Sequence, residues 1–433
     1  MLLKRIQLGL IHVAVAMTLV PINSTLNRVM IKELAISATL VAILASLPYL
    51  FSPIQVAIGS YSDRHPLMGL RRTPYILLGL LLTVAGVVFS PSVAFLLDTN
   101  YWLGVLVGVL VFGAWGMGYN FASVSYLSLA SELSGEKGRS RTIAVMWFMM
   151  ITSIIVTAIA LSRMVDPYTP AALERAFQVV GVVALVLGLL GLIGLEKRAR
   201  GDERASEGYS WGEMFRVITQ NRQATLFFWY LIILLAAILG QDILLEPFGG
   251  EAFGWTVQQT TRITSIWGGC VLIALLVAGG LEGRLKKRTI AYLGGGGALL
   301  GFILIFLSGV TFSTSVFYSG VIFLGIGTGL ATVSNLALML DMTVASNVGL
   351  YIGAWGMANA ASRLIGTVLG GVVRDVVTSL SQNAIAGYLV VFAIEAAMLL
   401  VSLFMLRQIN VAEFRRAVDQ PSLMEQAALA NEI

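Results

Sequence analysis

The chain has 433 residues, of which 57% are hydrophobic and only 12% charged, and its mean hydropathy is +0.86. Soluble domains carry about 25% charged residues, so this composition excludes a soluble globular protein and describes a polytopic membrane protein. The net charge of +5 does not point to nucleic acid, because no basic run is interleaved with aromatics and the basic residues gather in loops on one membrane face.

Lys4-Arg5 ahead of an apolar run has the outline of a signal peptide, but no small-residue cleavage site follows, so it reads as a retained first helix. Runs of about 20 apolar residues suffice to cross the hydrocarbon core. The sequence holds twelve, at residues 8–29, 37–60, 74–97, 102–126, 142–162, 176–195, 224–243, 261–280, 289–309, 315–340, 348–371 and 385–406. The expected fold class is therefore an all-α integral membrane protein with twelve transmembrane helices. With the N-terminus placed inside, 21 of the 28 Lys and Arg residues fall in cytoplasmic segments, so both termini are expected in the cytoplasm.

The sharpest interruption of the apolar pattern is residues 59–75, GSYSDRHPLMGLRRTPY, a loop between the second and third spans. A weaker echo at residues 279–292, GGLEGRLKKRTIAY, sets Glu282 against Asp63 and Lys287-Arg288-Thr289 against Arg71-Arg72-Thr73. The longest polar segment, 196–223, separates an N-terminal six-helix half (1–195) from a C-terminal one (224–406), and 407–433 form a tail. The fourth and tenth spans echo each other as well, Phe112–Gly118 against Leu324–Gly329, which implies two halves about a pseudo-two-fold axis. The lone Cys270 lies in an apolar run, so no intramolecular disulfide or cysteine-based metal cluster is possible.

Gly59, Asp63, Arg64, Arg71 and Arg72 resemble the loop signature of the major facilitator superfamily, although His65-Pro66 and a longer spacing to Gly69 replace its usual form. This variant, with Thr25–Met30 (TLNRVM) in the first span and Gln241–Gly250 (QDILLEPFGG) after the seventh, is similar to the bacteriochlorophyll delivery family of PucC-like and LhaA-like assembly factors. The resemblance implies the facilitator fold and a non-enzymatic role in assembling light-harvesting or photosystem complexes. It also implies chlorophyll or bacteriochlorophyll as cargo, nascent apoproteins as partners, and a photosynthetic membrane as the location. The loop would then gate the two halves; the alternative is a topogenic basic loop. The competing function is a secondary transporter of a tetrapyrrole or other small solute, and a pure scaffold is a third reading.

Several residues could carry such a role. His12, Asn23 and Asn27 in the first span fall near one face at 100° per residue, and an imidazole or amide could supply the one axial ligand of a pigment magnesium; hydrogen bonding between helices is the alternative. Asn120 in the fourth span and Asn335 in the tenth, with Thr328 and Thr332, could meet polar edges of a ligand or join helices. Gln241, Asp242 and Glu246 stand where Pro247 and Gly249-Gly250 are expected to stop the seventh helix, forming either a capped end or a lip at the membrane surface that contacts pigment or client. Arg363 and Glu395, deep in the last two spans, are expected to pair, since charge in hydrocarbon is costly unless compensated. No Ser/His/Asp set, phosphate-binding glycine loop or paired carboxylates in the cavity-lining spans suggests an enzyme.

Overall fold

The computed structural model describes residues 2–55, 58, 61–62, 65–67, 69–196, 212, 216, 218–219, 221–281, 284–343 and 348–419. Among these the regular structure is helical, joined by short turns and connecting segments, and Leu67 and Leu70 form an isolated bridge. Eleven helices are long and apolar enough to cross a membrane. They are α1 (Leu2–Glu33), α3 (Thr73–Thr99), α4 (Tyr101–Ser134), α5 (Arg141–Met164), α6 (Pro170–Leu192), α7 (Arg222–Ile243), α8 (Val257–Gly280), α9 (Lys287–Thr311), α10 (Thr314–Asp341), α11 (Gly353–Ser381) and α12 (Ala384–Gln408). The missing crossing is α2, which is helical over Ala38–Ala45 and again over Leu47–Leu50, with Pro48 opening the second piece. Proline removes a donor and crowds the preceding turn, so this span is interrupted where the apolar pattern alone predicts continuity, and residues 54–55, 58 and 61–62 are helical again. It still crosses the layer: Ser37 meets the far end of α11, while Arg72 meets the end that carries the termini.

The helical winding of α4 continues into α5 without a break, yet Ser134 donates to Thr142 Oγ1 at 2.7 Å across only eight residues. Eight residues of straight helix span about 12 Å, so the chain doubles back there. A short amphipathic helix, α13 (Val411–Asp419), follows α12 and lays Phe414 against Tyr351.

Glycines at α3–α4 and α9–α10 reveal the internal repeat. A Cβ on Gly79 would fall 2.5 Å from Ala122 N, and one on Gly118 would fall 2.5 Å from Thr83 N. Likewise a Cβ on Gly294 would fall 2.5 Å from Ala331 N, and one on Gly327 would fall 2.7 Å from Gly294 O. Gly86 packs on Trp115 as Gly301 packs on Leu324. Trp115 is therefore the counterpart of Leu324, which shifts the expected pairing of Phe112 with Leu324 by three residues, about one helical turn. Backbone approach of this kind is how small residues hold membrane helices together.

The basic ends of α3 and α9 do equivalent work. Glu196 accepts from the backbone N–H groups of Arg71 (2.7 Å), Arg72 (3.0 Å) and Thr73 (2.7 Å), placing a carboxylate at the N-terminus of α3. Arg72 pairs with Glu132 at 3.0 Å on α4, and Lys287 pairs with Asp341 at 2.8 Å on α10. Glu196 thus caps α3, while Gly59, Asp63 and Arg64 of the expected gating loop lie outside the described residues. Glu196→Ala is expected to cost about 2 kcal/mol, since it removes the acceptor for three orphan donors and a charge matched to the helix dipole. A thermal melt in detergent would check it; an unchanged midpoint would mean water serves the α3 terminus equally well.

Candidate functional site

The two strings that stand out in the sequence meet in space. The seventh span runs as an α-helix from Arg222 to Gly240, passes through a 3-10 turn at Gln241–Ile243, and resumes as a helix at Leu245–Phe253. Pro247 sits in the first turn of the resumed helix, where its missing N–H has no intrahelical acceptor to lose, and Gly254 at φ 66° ends it. The expected stop at Pro247 and Gly249-Gly250 is thereby moved to the turn before and the glycine after. The first span changes winding too, with π-helical segments at Ile22–Leu26 and Val29–Glu33. Each π turn adds a residue, which is why π segments so often mark functional positions.

These irregular stretches form a polar seam. Glu246 Oε1 accepts from Ser24 Oγ and from Thr264 Oγ1, each at 2.5 Å, and Thr25 and Thr261 hydroxyls lie 3.1 Å apart. Arg28, 2% exposed, donates to Glu33 at 2.8 Å and to the Trp255 carbonyl at 3.1 Å. Its guanidinium rests on Gly250, where a Cβ would fall 2.5 Å from Cζ. Any side chain at this position would have to displace the guanidinium. Lys32 pairs with Glu251 at 2.6 Å. One helix further round, Asp375 of α11 accepts from Thr39 N (2.7 Å), Ala38 N (3.2 Å) and the hydroxyls of Ser37 and Thr39 (both 2.7 Å), so the C-terminal half caps the N-terminus of α2. Together these contacts join the halves at the end opposite the termini.

The remaining candidates distribute around this seam. Gln241 donates to Asp242 at 2.9 Å, and Asp242 meets Arg363 at 3.5 Å. Arg363 also donates to the Tyr49 hydroxyl at 3.3 Å and lies over that ring, 5.3 Å from its centroid. The expected Arg363–Glu395 pair is not formed: the interrupted α7 presents Asp242 to the arginine, and Glu395 faces Gly240, with no hydrogen-bond partner for either oxygen. The expected surface lip is also replaced. Gln241 and Glu246 are both 2% exposed and serve the interior, because the helix continues past them, with Glu246 bonded to α1 and α8 and Gln241 to Asp242.

Asn120 donates to the carbonyls of Pro48 and Gly116 and accepts from Gln55, so its amide is saturated by α2 and its own helix. Asn335 accepts from Tyr230 at 2.8 Å and donates to Ala331, while Thr328 and Thr332 bond back to their own helix. Asn27 is buried with both amide atoms unpartnered, and Asn23 is half-buried. The single stripe joining His12, Asn23 and Asn27 does not hold, since the 100° step fails across the turn at Met17–Thr18 and through the π segments.

His12 stands apart in the other half of α1. It is 7% exposed, its ring lies 5.1 Å from Tyr126 of α4 and 6.4 Å from Trp147 of α5, and its Nδ1 is buried with no partner. Trp147 and the adjoining Phe148 are about half exposed, so the aromatic wall beside the imidazole reaches the protein surface. An unpartnered imidazole nitrogen between aromatic faces has the chemistry of an axial ligand to a flat metallated macrocycle. Sequence reasoning missed Tyr49, Ser24, Glu33, Glu251 and Asp375. Arg28 and Gly250 were visible within the two strings, but nothing in the sequence linked them.

Two six-helix halves whose first, second and seventh spans change winding define a membrane protein of the major facilitator superfamily fold. A mutant form of the nucleoside transporter NupG superposes with a TM-score of 0.75 at 15% identity, over 94% of this chain and 99% of that one. The PUCC protein family model matches residues 25–414, and the chain belongs to that family. It is 31% identical to Protein PucC of Cereibacter sphaeroides over 424 residues, covering 93% of this chain and 91% of that protein. It is 27% identical to the bacteriochlorophyll synthase 44.5 kDa chain of Rhodobacter capsulatus, covering 98% of each.

Proposed function

We propose that this protein is a photosynthetic-complex assembly factor that binds chlorophyll or bacteriochlorophyll and passes it to nascent light-harvesting or photosystem polypeptides, without catalysing a reaction. The observation that carries this reading is the unpartnered His12 Nδ1 between Tyr126 and Trp147. A flat pigment has aromatic surfaces to stack on and a magnesium to ligate, and this box offers both. Membership of the PUCC family and likeness to a chain named for bacteriochlorophyll synthase support pigment as the cargo. With both termini in the cytoplasm, as the Lys and Arg bias indicates, the seam between α1 and α7 closes the opposite face and leaves His12 in the cytoplasmic half of α1.

Gentle purification from a pigment-producing host followed by absorption spectroscopy tests the reading. His12→Leu should lower the pigment-to-protein ratio by about tenfold or more, the scale of losing one metal ligand, at unchanged yield of folded protein. A wild-type protein that carries no pigment under these conditions would overturn delivery, and an unchanged ratio in the variant would remove His12 as ligand.

One observation favours the second reading, a secondary transporter. Spans one, four and ten lack a mid-span acid, but Glu246 on the resumed α7 is enclosed against α1 and α8, where proton binding could be coupled to the movement of the halves. Proton-dependent uptake of a solute into vesicles, lost in Glu246→Gln with pigment content intact, would select this alternative.

A further inference from the structure

Neither reading above uses Arg363, whose side chain is 32% exposed deep within α11. On that helix Ile365, Leu369, Val372 and Val376 form an exposed apolar row, which faces lipid. At 100° per residue Arg363 lies on the opposite side, with Asn359 and Gly356 one and two turns nearer the end that carries the termini. That side is the interior, because it falls between Gly371, packed on Ala38 of α2, and Gly366, packed on Ala236 of α7. Asn359 and Gly356 are nevertheless exposed, and a Cβ on Gly356 would meet nothing within 4 Å, whereas Thr367, one turn beyond Arg363, is 5% exposed. The halves are therefore parted on the side of the termini, and the cleft between them ends at Arg363.

We propose that Arg363 reads the pigment's outer ring, donating from its guanidinium to the paired carbonyls of the β-keto ester that chlorophylls and bacteriochlorophylls carry; this rests on the reading of His12 as the magnesium ligand. Both contacts of Arg363 run through Nη1, to the Tyr49 hydroxyl at 3.3 Å and to Asp242 at 3.5 Å. Nε and Nη2 have no hydrogen-bond partner among the described residues, which leaves one edge of the fork free. Asp242 already balances the charge, so a second acid would leave the site net negative in a region of low dielectric. A neutral ligand with two acceptors fits instead. The distance fits as well. Tyr119 of α4 interacts electrostatically with Arg363 and Tyr49, and Tyr126, whose ring lies 5.1 Å from that of His12, follows seven residues later. Seven residues of helix rise about 10 Å, which is comparable to the reach from the central metal of a chlorin to the carbonyls on its rim. An intramembrane charge that faces a cleft and not lipid is the usual mark of a substrate path.

Full-length protein purified in detergent is offered equimolar chlorophyll a and pyrochlorophyll a, which lacks the ester carbonyl, and the bound pigments are extracted and separated by chromatography. Chlorophyll a should exceed its pyro form by about tenfold, the worth of one hydrogen bond from a charged donor. Arg363→Met should bring the ratio close to one. Arg363→Lys, which keeps the charge beside Asp242 but not two donors in a fixed plane, should lower it in a protein whose fold is retained. The ratio is taken among bound molecules, so loss of folded protein does not imitate the effect. Equal binding of the two pigments by the parent, or a parental ratio in both variants, would overturn the role of Arg363 and leave pigment binding in place. Failure of the parent to bind either pigment would overturn both.

Discussion

Asp375→Ala should open the end of the molecule at which the halves now meet. The substitution removes the acceptor for two backbone N–H groups and two hydroxyls at the start of α2. Hydrogen bonds to a charged group contribute about 1.5–3 kcal/mol each, but these four share two oxygens and water replaces some on opening, so a net cost of about 3 kcal/mol is a reasonable scale. That is roughly a 100-fold change in the ratio of closed to open forms. Spin labels placed on the α1–α2 and α7–α8 turns should report the change as a longer distance population. Asp375→Asn, which still accepts at one oxygen, should give a smaller shift. If the distances in both variants match the parent, the clamp on α2 does not set the conformational balance.

Gly250→Ala is the second large effect, and it acts through a side chain on another helix. The new methyl would overlap the guanidinium of Arg28, which is buried and held by Glu33 and the Trp255 carbonyl. Moving a buried cation away from its partners is on the scale of breaking a buried ion pair, about 3–5 kcal/mol. The thermal midpoint should fall by many degrees, while Gly269→Ala and Gly356→Ala, where a Cβ meets nothing within 4 Å, should hardly move it. Combining Gly250→Ala with Arg28→Ala tests the coupling directly: the pair should cost much less than the sum of the single changes. Additive costs would show that the glycine serves its own backbone and not the arginine.

How far the sequence could be read depended on whether a feature was local. Apolar runs fix spans because a membrane demands length and hydrophobicity within one segment, and among the described residues eleven of the twelve are helical over a length sufficient to cross. The α2 break was signalled by Pro48, but a hydropathy count is blind to it. The repeat was visible as glycine-rich stretches, yet its register came out one turn wrong because glycines at four-residue spacing match each other at several offsets. Partners of charged groups were the least legible. Arg363 was assigned to Glu395 on the neighbouring helix, when the interruption of α7 had placed Asp242 and Tyr49 within its reach. The π segments of α1 have no signature in composition, and they defeated the angular argument that grouped His12 with Asn23 and Asn27.

The seam between α1 and α7 also governs how the two halves can part. Apolar faces slide past each other with little change in energy, because dispersion has no preferred direction. A junction built from Ser24, Thr25, Arg28, Lys32 and Asp375 behaves as a brittle material does, since a hydrogen bond stretched by about 1 Å is no longer one. Glu246, clasped between two hydroxyls from different helices, tolerates no slippage by a residue along the membrane normal. The junction therefore either keeps its register or fractures along its whole length, and its sudden failure would make opening a switch instead of a gradual loosening.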